Sequence, residues 1–190
     1  MRAQEFIPEA SPDTPAGSVT KDLIISKLWL CQKLKDLELT VFDQIYILGS
    51  WYGAFALMLK ELPFEYHEII CVDSSPEKHQ YLSKVIEKNK ISRVSSRCEN
   101  AEDIKYPNSN ILVINTSTND MKGSKWLSVI PHGSIVAMQG RDKQEHSNNV
   151  ETLKKFDRVY PLSNQLYLNQ ISIVGVDGVE YQRFMKIGVV

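Results

Sequence analysis

Ile45-Tyr46-Ile47-Leu48-Gly49-Ser50-Trp51-Tyr52-Gly53-Ala54-Phe55-Ala56-Leu57-Met58-Leu59-Lys60, continued by Ile69-Ile70-Cys71-Val72-Asp73-Ser74-Ser75-Pro76, reads as strand, glycine turn, helix, strand and acidic end. Ile45–Leu48 is too short for a helix and β-branched enough for a buried parallel strand. Gly49 and Gly53 bracket the turn that breaks it, and Ala54–Lys60 has helical composition. Ile69–Val72 forms the second strand and ends at Asp73. A right-handed βαβ unit places the glycine turn and Asp73 side by side at the carboxyl edge of a sheet. Glycines there let backbone approach a ligand, and a carboxylate 20 residues beyond Gly53 can accept hydrogen bonds from a ribose diol. The stretch therefore predicts a nucleoside site. A plain structural turn is the alternative, because helix–sheet packing also demands small residues.

Working outward, the flanking segments extend the same alternation. Thr20 is a candidate helix cap, and Leu23, Leu28, Leu30, Leu34 and Leu37 recur at mixed three- and four-residue spacings, predicting a helix over 21–36. Pro76 opens another helix with Leu82, Val85 and Ile86 on its dry face. Val94–Cys98 is a weaker strand near a sheet edge, Ile111–Ile114 a strong one, and Ser134–Met138 the next after a Pro131-His132-Gly133 turn. A polar loop covers 144–149 and a short helix is expected over 150–156. Leu166–Leu168, Ile171–Val174 and Phe184–Ile187 are strand-like, with Asp177-Gly178 as a hairpin signal. The expected fold is α/β: a Rossmann-like open, mostly parallel sheet with helices on both faces and a C-terminal antiparallel hairpin.

Composition bounds the function classes. The 190 residues suggest one domain, burying about 70% of the unfolded surface. Residues 1–18 carry three prolines and scattered charge, predicting a flexible tail, with 19–190 as the domain. Arg2, Glu5, Phe6 and Ile7 make that tail a candidate docking segment for a protein partner. With 22 basic and 23 acidic residues the chain has no strong nucleic-acid signature, and the Lys33–Lys35 and Lys88–Lys90 pairs read as wet helix faces. Cys31, Cys71 and Cys98 show no metal spacing, and Cys71 reads as a small buried hydrophobe. No apolar run reaches the roughly 18 residues of a membrane span, and Met1 is not followed by a secretory stretch, so a cytoplasmic protein is expected. His67, His79, His132 and His146 lack ligand spacing, so no metal is expected, and His79 reads as solvated. No Gly-x-Ser-x-Gly elbow supports a hydrolase. The turn also lacks the Gly-x-Gly-x-x-Gly spacing of a nicotinamide site.

This order of elements resembles the class I S-adenosylmethionine-dependent methyltransferases over residues 20–190. Leu28-Trp29-Leu30, Ile47-Leu48-Gly49-Ser50-Trp51-Tyr52-Gly53, Ile114-Asn115-Thr116-Ser117, Ile130-Pro131-His132-Gly133 and Arg183-Phe184-Met185-Lys186-Ile187-Gly188 look most like small methyltransferase-like proteins of tailed phages of marine bacteria. That resemblance implies host-cell cytoplasm if the protein is viral. It implies S-adenosylmethionine as cofactor and an unidentified methyl acceptor. Gly49, Ser50, Tyr52 and Gly53 would meet the cofactor at the turn, Asp73 and Ser74 at the ribose, and Asn100-Ala101-Glu102 near the adenine. Asn115 would face the sulfonium methyl and orient the acceptor, and Asp120 would take its proton. Trp51 and Tyr52 either stack on a base or cover the core.

The chain also departs from the pattern. Ile47 stands at the usual acidic position before the first glycine, and Phe55 where a third glycine often lies. In the phage proteins a Cys-Glu-His run follows the Thr-Ser pair, whereas this chain has Thr118-Asn119-Asp120. The Asn/Asp-Pro-Pro-aromatic signature of amino-methylating nucleic-acid enzymes is absent. These departures favour the alternative, a catalytically inactive protein of the same fold serving as a binding or structural, phage-particle component. The loop beginning Gly140-Arg141-Asp142 is either a substrate reader or an ordinary connection.

Overall fold

A computed structural model describes residues 20–142, 150–175 and 177–190. The N-terminal tail and the 144–149 loop, His146 included, lie outside the described residues. The chain runs α1 (Lys21–Asp36), β1 (Val41–Leu48), α2 (Ala54–Lys60), β2 (Glu65–Asp73), α3 (Pro76–Lys88), β3 (Val94–Cys98), β4 (Ile111–Asn115), a 3₁₀ turn (Thr118–Asp120), α4 (Lys125–Ser128), β5 (Ile135–Arg141), α5 (Leu153–Val159), β6 (Asn164–Val174) and β7 (Glu180–Val189). Seven strands form one sheet in the order β3-β2-β1-β4-β5-β7-β6. Pairs β1–β2, β1–β4, β2–β3 and β4–β5 are parallel, and β5–β7 and β6–β7 are antiparallel. The expected open sheet with a terminal hairpin is what forms.

Alternation along the strands builds two cores. Ile45, Ile47, Ile69, Cys71, Leu112 and Ile114 pack with residues of α1, α2 and α3 on one face. Tyr46, Leu48, Ile70, Val72 and Val113 pack with Trp126, Phe156 and Tyr160 on the other. Strands buried on both sides must be apolar at every position, which is why they read as continuous runs.

Four boundaries differ from the reading of the sequence. Strands β1 and β2 begin earlier than Ile45 and Ile69, because polar residues at the opening end pair across the sheet: Gln44 Nε2 donates to Glu68 Oε2 at 3.4 Å. Strand β6 is one element of 11 residues, since Asn169 and Gln170 continue the ladder opposite Met185 and Phe184. Helix α5 starts at Leu153 because Thr152 Oγ1 accepts the Lys155 N–H at 3.2 Å. On α1, Leu28 is exposed, Thr20 makes no side-chain cap, and the buried face instead contains Asp22 and Ser26. Those polar residues are covered by partners from the sheet. Ser26 Oγ donates to Gln139 Oε1 at 2.8 Å, and Gln139 Nε2 donates to the Ser26 carbonyl at 2.9 Å.

Candidate functional site

The strand order reverses about β1, with β2 to one side and β4 to the other. Open α/β sheets bind ligands outside the carboxyl ends at such a switch point. Gly49 leaves β1 there with φ +59, and an added Cβ would lie 2.8 Å from Ser117 Cβ. Gly53 has φ +80 and would place a Cβ 2.4 Å from Leu82 Cδ1. Both glycines are thus required by conformation and by space. Trp51 between them also has positive φ, 52. Its N–H donates to Asp73 Oδ2 at 3.0 Å, and the Ser75 N–H donates to Asp73 Oδ1 at 3.0 Å. The buried Asp73 carboxylate therefore staples the glycine turn to the end of β2. An ionised carboxylate accepts about four hydrogen bonds, which leaves lone pairs for a ligand.

A cleft of about 590 Å³ opens over this edge. Gly49, Asp73, Ser74, Asn100, Ala101 and Asp120 of the sequence-predicted residues line it. Lys78, Met121 and Trp126 line it as well and were not foreseen. Lys78 Nζ stands 4.7 Å from the ring centroid of half-exposed Trp51. Trp126 is buried, and its indole N–H has no acceptor among the described residues.

Ser50 and Tyr52 line a second cavity of about 300 Å³ on the α1 side of the turn. Gly49, Trp51, Ser117 and Asp120 belong to both walls. Tyr52 packs edge-on against Tyr81, ring centroids 5.1 Å apart. Gly53 lines neither cavity.

Asn115 lines neither cavity and is fully buried beneath the turn. Its Oδ1 accepts the Ser117 N–H at 3.0 Å and its Nδ2 contacts Met121 Sδ at 3.1 Å. The run Thr118-Asn119-Asp120 builds the wall. Thr118 Oγ1 donates to the Gln139 carbonyl at 2.8 Å, and Asn119 exchanges hydrogen bonds with the Arg141 backbone at 2.9 and 3.0 Å. Asp120 is left exposed at the rim. His79 is half-buried, not solvated, with Nδ1 2.9 Å from Ser96 Oγ. Among the described residues no cluster of His, Cys, Asp or Glu could hold a metal ion, and no helix is long and apolar enough to cross a membrane.

No family model and no curated protein matches the sequence. Solved structures do match in shape. Coclaurine N-methyltransferase, bound to N-methylheliamine and S-adenosylhomocysteine, aligns with TM-score 0.61 over 93% of this chain and 76% of that one, at 10% identity. A SAM-dependent methyltransferase from Aquifex aeolicus aligns with TM-score 0.56 over 83% and 88%, at 14% identity. The chain has the class I methyltransferase fold. This fold also carries other chemistry: the [4+2]-cyclase SpnF aligns with TM-score 0.60 over 84% and 80%, at 10% identity. The cleft over Gly49 and Asp73 lies at the sheet edge where the sequence resemblance leads one to expect the cofactor.

Proposed function

We propose that the protein is an S-adenosylmethionine-dependent methyltransferase acting on a small acceptor. The observation that carries this is the cleft at the switch point, where Asp73 is held by two backbone N–H groups beside a turn that tolerates no Cβ at Gly49. The donor set suits the cofactor. The spare lone pairs of Asp73 match a ribose diol, Ala101 leaves room for a base, and Trp126 offers an unpaired donor. When bound, the cofactor supplies an electrophilic methyl group: the acceptor's lone pair forms the new bond, the carbon–sulfur pair stays on sulfur as a neutral thioether, and the acceptor's proton is released. This chain's task is alignment and exclusion of water. Asp120, which lines both cavities, would take up a proton from an acceptor that carries one.

The test is calorimetric titration with S-adenosylmethionine and S-adenosylhomocysteine. Hydrogen bonds to a charged group are worth about 1.5–3 kcal/mol, so Asp73→Asn should weaken binding about 10- to 100-fold with the circular dichroism spectrum unchanged. Undiminished affinity in that variant would remove the pocket. A second reading, an inactive protein using the fold as a scaffold, is favoured by Asn115, whose amide is spent inside the wall. Absence of any heat with either ligand at millimolar concentration selects it.

A further inference from the structure

The second cavity is built unlike the first. One side is apolar, with Ile24 of α1 and Phe55 and Met58 of α2. The polar side carries Lys27 and Asp22, also of α1, together with Asp120, Arg141 and Arg183. Among the described lining residues, three cations stand against two carboxylates, an excess of one positive charge.

The cations are poorly satisfied from within. Arg183 is 5% exposed, and its Nε has no hydrogen-bond partner. Among the described residues its Nη2 donates to neutral oxygens, the Thr116 carbonyl at 2.9 Å and Gln139 Oε1 at 3.5 Å. Lys27 stands over the Phe55 ring at 5.6 Å and has no carboxylate within salt-bridge distance among the described residues. Asp22 Oδ2 accepts from the Tyr181 hydroxyl at 2.9 Å, while Asp22 Oδ1 has no hydrogen-bond partner among the described residues. Burial, then Arg183, holds the Lys27 ammonium well below its ordinary range. A buried guanidinium such as that of Arg183 is costly without a paired anion, and an anionic ligand would supply one.

We propose that this cavity binds a small organic monocarboxylate, its apolar body against Phe55 and Met58 and its carboxylate among Lys27, Arg141 and Arg183. Resting on the methyltransferase reading, that molecule is the acceptor, anchored by its carboxylate while a separate lone-pair-bearing group faces the rim of Gly49, Trp51, Ser117 and Asp120 that the cavity shares with the cofactor cleft. A pocket of about 300 Å³ is at the small end of ligand sites and suits a single-ring or short-chain molecule.

Benzoate is a suitable probe, because its ring and single charge match the two walls, with benzamide as the neutral isostere. Both are titrated calorimetrically into the full chain, alone and with saturating S-adenosylhomocysteine. Benzoate should bind about 10- to 100-fold more tightly than benzamide, as expected for a charge-assisted contact, and with S-adenosylhomocysteine present its affinity should persist. Lys27→Met and Arg141→Met should each weaken benzoate about tenfold and leave benzamide unchanged, and Lys27→Arg should restore much of the loss. Equal binding of benzoate and benzamide, or no binding of either by a protein that binds S-adenosylhomocysteine, overturns the proposal. Loss of benzoate binding in the presence of S-adenosylhomocysteine also overturns it, assigning the cations to the cofactor. Benzoate binding without S-adenosylhomocysteine binding retains the anion site and removes the cofactor reading.

Discussion

Gly53 and Gly133 both have positive φ, +80 and +87, yet only Gly53 meets a neighbour, Leu82, inside contact distance. A left-handed alanine costs roughly 1–2 kcal/mol, and forcing a methyl into a packed site about 1–3 more. Gly53→Ala should therefore lose about 2–5 kcal/mol in urea unfolding, and Gly133→Ala only about 1–2. Equal losses would show that Leu82 yields freely. The thiols divide as sharply. Burial pushes Cys31 and Cys71 up to about 12, whereas Cys98 is exposed. The thiolate is the nucleophile, so Ellman's reagent should titrate Cys98 rapidly in the native protein and the other two after unfolding. Cys71 as a buried hydrophobe was legible in its strand; the burial of Cys31 was not, because it depends on which face of α1 meets the sheet.

At the level of elements, α1 is anchored through polar contacts that its leucine spacing conceals. Ser26 and Gln139 exchange two hydrogen bonds, one to the Ser26 side chain and one to its carbonyl, both buried. Ser26→Ala leaves a buried acceptor underpaired and should cost about 1–3 kcal/mol, read by denaturant unfolding. On the same helix, burial first and Arg183 next depress Lys27, while Cys31, Asp120 and Asp22 oppose them. Between its depressed folded value and 10.5, the unfolded chain holds the extra proton, so stability rises with pH across that window. Lys27→Met should flatten that rise and stabilise the protein at neutral pH, with a thermal shift of about 2–4 °C per kcal/mol gained. A lower midpoint at pH 7 would show the ammonium to be paired.

For the molecule as a whole, the two cavities flank one glycine turn at the centre of a seven-stranded sheet. A ligand that bridges β1, β2 and the segment after β4 ties together elements far apart in the chain. With S-adenosylhomocysteine at 100 times its Kd, stabilisation should be about 2.7 kcal/mol, a midpoint rise of about 5–10 °C for a chain of this size. No shift at that concentration, with binding shown by calorimetry, would mean that unfolding is not two-state.

The amino-acid order by itself determined the architecture. Continuous apolar runs can be buried only between two helix layers, the glycines admit only one turn geometry, and Asp-Gly closes a hairpin. It also placed Asp73 beside the turn, since βαβ connectivity leaves no other position. Only the tertiary structure decided what stands around that edge. Asn115 reads as a site residue, and in the structure it is buried, its Oδ1 accepting the Ser117 N–H and its Nδ2 against Met121 Sδ. Thr118-Asn119-Asp120 reads as altered chemistry, and in the structure Thr118 and Asn119 are fastened to β5 while Asp120 stays exposed at the rim. Lys27, Arg141 and Arg183 lie on three separate elements with no shared spacing, so their convergence is invisible until α1, β5 and β7 pack. Periodicity reports which face of an element is buried; which charges meet across elements is set by register and crossing, and those exist only once the chain has folded.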